Sequence, residues 1–111
     1  SKMREFKFKV WDKKFKMWLK RFNVDLSDTD TYILSAVELC QYTGLKDENG
    51  VEIYEGDIVR TFGKLFVVFY SQEHVGYLLK DIDGCLETIR SYRVEVLGNI
   101  YENPELLEEE K

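Results

Sequence analysis

Chemistry needs particular side chains at particular spacings, and this chain offers few. His74 is the sole histidine and sits in the polar run Ser71–Gly76, with no cysteine close to it. Neither a Cys/His dyad nor a histidine-bearing metal site is indicated, and a solvated loop histidine is the expected role. Cys40 and Cys85 stand 45 positions apart, in neither a C-x-x-C nor a zinc-type spacing. Two such thiols point to reduced cysteines buried as small hydrophobes, not to the dense disulfide framework of small secreted domains. Asp81-x-Asp83-Gly84 opens like a calcium loop, but the EF-hand order of ligands fails and a plain β-turn is expected. Carboxylate pairs are common among 21 acidic residues and carry no weight by themselves, since hydrolysis by two carboxylates needs a fixed separation across a cleft. No glycine-rich phosphate loop is present. No catalytic, metal or cofactor-binding residue is assigned, and no cofactor is expected.

Binding chemistry is better represented, at the start of the chain. Residues 1–24 hold nine Lys/Arg against two acids (Glu5 and Asp12), a net of +7; the remainder holds seven against nineteen, a net of −12. Together these make the overall −5. Arg4–Val10 alternates strictly, with Phe6, Phe8 and Val10 on one side and Lys7 and Lys9 on the other, the period of a half-buried strand. Phe15–Lys20 alternates likewise. A tight turn at Lys13-Lys14 pairs Val10 with Met17 and Phe8 with Leu19 on an apolar face. Lys7, Lys9, Trp11, Lys16, Trp18 and Lys20 then share the opposite face, the candidate site. One reading packs this face on the acidic body of a second copy, with the indoles as buried anchors. Another neutralises phosphates with the lysines and stacks Trp11 and Trp18 on unpaired bases. The bland reading is that the lysines are solvated guards of an edge strand. The acidic surplus in the same chain favours the first.

The elements that must position these residues are short. At 111 residues, 44% hydrophobic and 33% charged with one proline, the chain fits one domain and excludes a disordered tail or a two-domain enzyme. No leader of the signal-peptide type is evident and no run nears the roughly 20 apolar residues that span a bilayer, so a cytoplasmic setting without membrane contact is expected. Asn23–Thr31 reads as a polar loop. Residues 32–41 fit either a helical face or a strand, with a strand near Val37–Gln41 the preferred reading. Asn49-Gly50 is a strong turn signal. Beyond Tyr54–Val59, apolar runs at Leu65–Tyr70, Tyr77–Lys80, Cys85–Ile89 and Val94–Tyr101 alternate with turn signals about every ten residues, as in a small barrel. Asn103-Pro104-Glu105 opens a short helix whose acidic end, Glu108-Glu109-Glu110, should fray. The fold class is mainly β: an N-terminal β-hairpin arm (1–24), a connecting segment (25–44), and a small SH3-like β-barrel with a short C-terminal helix (45–111).

The run from Gln41 to Val59, Gln-Tyr-Thr-Gly-Leu-Lys-Asp-Glu-Asn-Gly-Val-Glu-Ile-Tyr-Glu-Gly-Asp-Ile-Val, resembles the hallmark segment of the YopX family. Met3–Phe8 with Trp11-Asp12 resembles the family's opening, and Val96–Leu107 resembles its close. Lys13–Leu39 and Phe62–Tyr92 depart from the pattern. The resemblance implies a β-rich, homo-oligomeric protein of phages and prophages of Gram-positive bacteria, of uncharacterised function, working in the host cytoplasm with a phage or host protein as partner. It supplies no catalytic residues. Within the hallmark, Gly44, Gly50 and Gly56 are expected to take conformations that a Cβ obstructs, and Asp47, Asn49 and Asp57 to tie turns through their side chains. The other role open to Tyr42, Tyr54 and Asp57 is to line a ligand groove.

Overall fold

A computed structural model describes residues 7–20 and 36–108. The start of the predicted first strand (Arg4–Phe6), the Asn23–Thr31 loop, positions 32–35 of the ambiguous segment and the predicted fraying at Glu109-Glu110 lie outside the described residues. The strands are β1 (Phe8–Asp12), β2 (Met17–Trp18), β3 (Val37–Lys46), β4 (Glu52–Tyr54), β5 (Asp57–Thr61), β6 (Lys64–Ser71), β7 (Gly76–Lys80), β8 (Leu86–Thr88) and β9 (Glu95–Asn99). A single 3-10 turn at Ser91–Arg93 precedes β9, and α1 (Glu105–Glu108) follows it. One antiparallel sheet has the order β2-β1-β3-β4; the other, β8-β7-β6-β5-β9, curls into half a barrel.

The mainly β architecture with a short terminal helix is the expected one. Its internal division differs from the expectation. β3 runs straight through the predicted boundary at residues 44 and 45 and pairs with β1 on one side and β4 on the other. The leading hairpin is thus an edge of a sheet it shares with the hallmark segment, not a free arm. β1 pairs with the first half of β3, Val37–Gln41, and β4 with the second, where the register shifts between Tyr42 and Lys46 and Gly44 has φ 88°. Thr43 bridges the irregularity, its hydroxyl donating to the Ile53 carbonyl (2.8 Å) and accepting from the Leu45 amide (3.1 Å).

The core is made by Ile53, Val59, Phe66, Val68, Leu79 and Val94, with Ile89 and Val96 packed against it. Each such side chain contributes roughly 1.5–3 kcal/mol by leaving water. Ile58 and Val59 are adjacent and both fully buried, so β5 is enclosed on both faces and reads as a continuous apolar run.

Three hairpin turns are tied by an aspartate that leads them. The Asp12 carboxylate accepts from the amides of Lys14 and Phe15, Asp47 from Asn49 and Val51, and Asp81 from Asp83 and Cys85. The Asp81 turn is therefore the plain one expected. In the first turn the chain spends residues Lys13–Lys16, with Lys16 at φ 53°, and the strands pair as Trp11 with Trp18 and Asp12 with Met17. That is two residues from the predicted register, because the turn is wider than a two-residue loop. An even shift leaves both faces with the predicted residues.

At the far end Leu106 N–H reaches the Asn103 carbonyl, as a helix opening there requires. The Asn103 side chain, however, turns back to accept from Asn99 N–H (3.2 Å), and a Cβ on Gly98 would collide with it.

Candidate functional site

β1 and β2 set Trp11 and Trp18 against each other, ring centroids 5.0 Å apart and edge to face. The third ring comes from beyond β9. Asn99 Oδ1 accepts from the amides of Tyr101 and Glu102, and Ile100 N–H donates to the Gly56 carbonyl, so the chain turns sharply back. Tyr101 then lies 5.7 Å from Trp11 and 5.9 Å from Trp18. Its ring rests on Gly56, where φ is +86° and a Cβ would stand 2.9 Å from Cε2. Trp18 Nε1–H donates to the Glu102 carboxylate, which also accepts from Asn99 Nδ2. These two bonds, the indole's first, hold Glu102 below the usual carboxylate range. Trp11 is left 7% exposed.

The lysines divide. Lys7 pairs with Glu52 at 2.6 Å and lies 5.6 Å over the Tyr42 ring. Tyr54 donates to the same Glu52 (3.1 Å), and burial followed by that bond pushes the Tyr54 hydroxyl up to about 12. Lys9 stands 4.4 Å over the Tyr54 ring and 5.6 Å over Trp18. Lys16 and Lys20 are exposed. Of the predicted face, then, Lys7, Lys9 and Trp11 are engaged within the chain, Trp18 is half-buried, and Lys16 and Lys20 face water.

This inverts the expected polarity of the hairpin. Val10 is buried as predicted, but Phe8 and Met17 on its face are about half-exposed, while the tryptophan face turns inward. The physical reason is area: two indoles meeting Tyr101 bury more surface than the smaller apolar side chains opposite could.

The result is a groove of about 490 Å³ lined by Trp11, Lys16, Met17, Trp18, Tyr101 and Glu102. Aromatic faces form its floor, and one cation and one carboxylate stand on its walls. Behind it Cys40 is buried and shares a hydrogen bond with the Tyr101 hydroxyl; burial raises both groups. A thiol raised in this way is a packing group, not an activated nucleophile. Asp57 is also buried and accepts from Tyr54 N–H (2.8 Å), the turn-tying role expected of it. Burial lifts it to about 6, with the Asp47 charge adding and the Tyr54 amide and Lys9 opposing. Cys85, by contrast with the expectation for both thiols, is exposed.

His74 Nδ1 lies 2.9 Å from the Ser71 hydroxyl, but that oxygen also accepts from the His74 amide, so the pair closes the β6–β7 turn. No cluster of three metal-ligating side chains occurs among the described residues. No helix among them is long and apolar enough to cross a membrane. Sequence reasoning missed Tyr101, Glu102 and Met17 as partners of the indoles. The only available pointer was the Ile100-Tyr101-Glu102 stretch in the family-like close.

No curated protein matches the chain. Among solved structures it is similar to protein EF1440 from Enterococcus faecalis, with a TM-score of 0.68 at 24% identity over 95% of this chain and 99% of that one, a likeness of fold. The model of the YopX family, described as YopX protein, matches residues 7–108. With nearly the whole sequence matched, including the Gly56-Asp57 turn and the Tyr101 that packs on it, the chain belongs to the YopX family.

Proposed function

We propose that this protein is a phage accessory protein of the bacterial host cytoplasm that acts without catalysis, by self-association and by binding a phage or host protein. The observation that carries this reading is the β1–β2 tip. There Phe15 is 69% and Met17 52% exposed, set among Lys14 and Lys16, while residues 25–111 carry a net charge of −12. Exposed apolar side chains held among cations, on a molecule whose remaining surface is anionic, suit contact with another copy. The phage setting rests on the resemblance of the opening, middle and closing segments.

Light scattering at low and at high salt tests the reading. An oligomer is expected at about 50 mM salt that weakens towards about 0.5 M as screening shortens the reach of the lysines. A strict monomer in both conditions overturns it. Single-stranded nucleic acid is the other candidate partner, and flat anisotropy with labelled single-stranded DNA at low salt removes it. The burial of Trp11 leaves that reading one indole for stacking where it needs two.

A further inference from the structure

We infer that Phe15 and the groove beside it form a two-fold contact between copies of this chain, the Phe15 ring of each copy entering the groove of the other. The inference rests on the self-association proposed above and gives it a geometry. Phe15 is followed directly by Lys16, Met17 and Trp18, three of the residues that line the groove. A projection and the hollow that accepts it thus lie side by side on one hairpin. A patch bearing both is self-complementary, which is the condition for a closed two-fold interface.

The projection is held ready. The Asp12 carboxylate fixes the Lys14 and Phe15 amides at 2.9 Å each, so the backbone that carries the ring is set before docking. The hollow has the size and the lining for it. Its volume of about 490 Å³ leaves room for a phenyl ring, and Trp18 and Tyr101 offer ring surfaces suited to edge or offset contact with it. Charge agrees as well. Lys14 and Lys16 flank Phe15, and Glu102 in the groove, which accepts from two neutral N–H groups and feels the Lys9 charge, is the anion a lysine arriving with the partner's tip would meet.

The test uses a dilution series followed by light scattering and by tryptophan emission, since the only two tryptophans of the chain both line the groove. Wild type is expected to be a dimer whose emission shifts as it dissociates. Phe15→Ser should raise the dissociation constant about tenfold or more with an unchanged far-ultraviolet spectrum. Met17→Lys, which sets a cation in the groove against the lysines that flank the incoming ring, should do the same. An equimolar mixture of the two variants should dimerise better than either alone, because one intact ring-in-groove contact is restored. A Phe15→Ser dimer as tight as wild type overturns the contact and leaves self-association standing. Assemblies that grow beyond two with concentration overturn the two-fold closure. A wild type that is monomeric throughout, with or without binding to single-stranded DNA, overturns both.

Discussion

At the β1–β2 turn the Asp12 carboxylate accepts the amides of Lys14 and Phe15; at the β3–β4 turn the Asp47 carboxylate accepts those of Asn49 and Val51. The local device is the same, but its surroundings are not. Asp47 is buried, and its second oxygen crosses to the Val96 amide of β9 (2.9 Å), while Glu48 N–H meets the Val94 carbonyl. The Asp12 turn stands in water and carries Phe15 and Lys14 outward. One turn joins the two sheets; the other presents side chains. The comparison teaches that a turn motif fixes local shape only, and that its role comes from what the rest of the chain brings to it.

Removing Asp47 should break that comparison hardest. Burial alone would raise its carboxyl, but bonds from the Val96, Val51 and Asn49 amides outweigh burial and hold it below the ordinary range. Asp47→Ala takes the acceptor from all three, of which the Val96 amide between the sheets is the hardest to rehydrate, and should cost about 3 kcal/mol in urea unfolding. A loss under about 1 kcal/mol would show that the link between the sheets is made elsewhere.

Asp57 sharpens the contrast from the other side, as a buried aspartate that accepts from one amide, that of Tyr54, with its carboxyl raised from the ordinary 3.8 to about 6. Between those values the native state keeps a proton that the unfolded chain has released. The Asp57 contribution to stability is therefore greatest below roughly pH 4, falls as the pH rises towards about 6, and is level above, the change being on the order of 3 kcal/mol, opposite in sense to that of the lowered carboxyls of Asp47, Glu52 and Glu102. Asp57→Asn retains an acceptor for Tyr54 N–H and should flatten this slope and unfold later than wild type at pH 8. Parallel pH profiles for the two proteins would refute the assignment.

Asp12→Ala should be the mildest change. Two exposed amides lose their acceptor but regain water, so unfolding should shift by about 1 kcal/mol or less. Its larger effect belongs to assembly, since the backbone that carries Phe15 loses its tie. A measured cost equal to that of Asp47→Ala would erase the distinction between the two turns.

The strand pattern, the turns and the sidedness of the hairpin were legible in the sequence because each depends on neighbours. Phe8, Val10, Lys9 and Trp11 alternate, and the Asp-x-Asn-Gly run sets its own turn. The hairpin register was two residues out because nothing local distinguishes a two-residue turn at Lys13-Lys14 from the four-residue one that Lys16 closes at positive φ. Which face of the hairpin turns inward was not legible at all. That outcome depends on Tyr101 and Glu102, the latter bonded to Trp18 across 84 positions, and periodicity carries no trace of so distant a partner. β3 was divided between two predicted segments for a similar reason: Gly44 reads as a break in a strand, whereas here the strand runs through it with a shift of register.

The closure of Tyr101 and Glu102 over the two indoles has a consequence for the order of events during synthesis. The 84 positions that separate Trp18 from Glu102 must leave the ribosome before the two indoles acquire the ring and carboxylate that cover them. Until then Trp11 and Trp18 lack the cover that the finished fold gives them. The later-made residues thus decide when the earlier-made ones leave water.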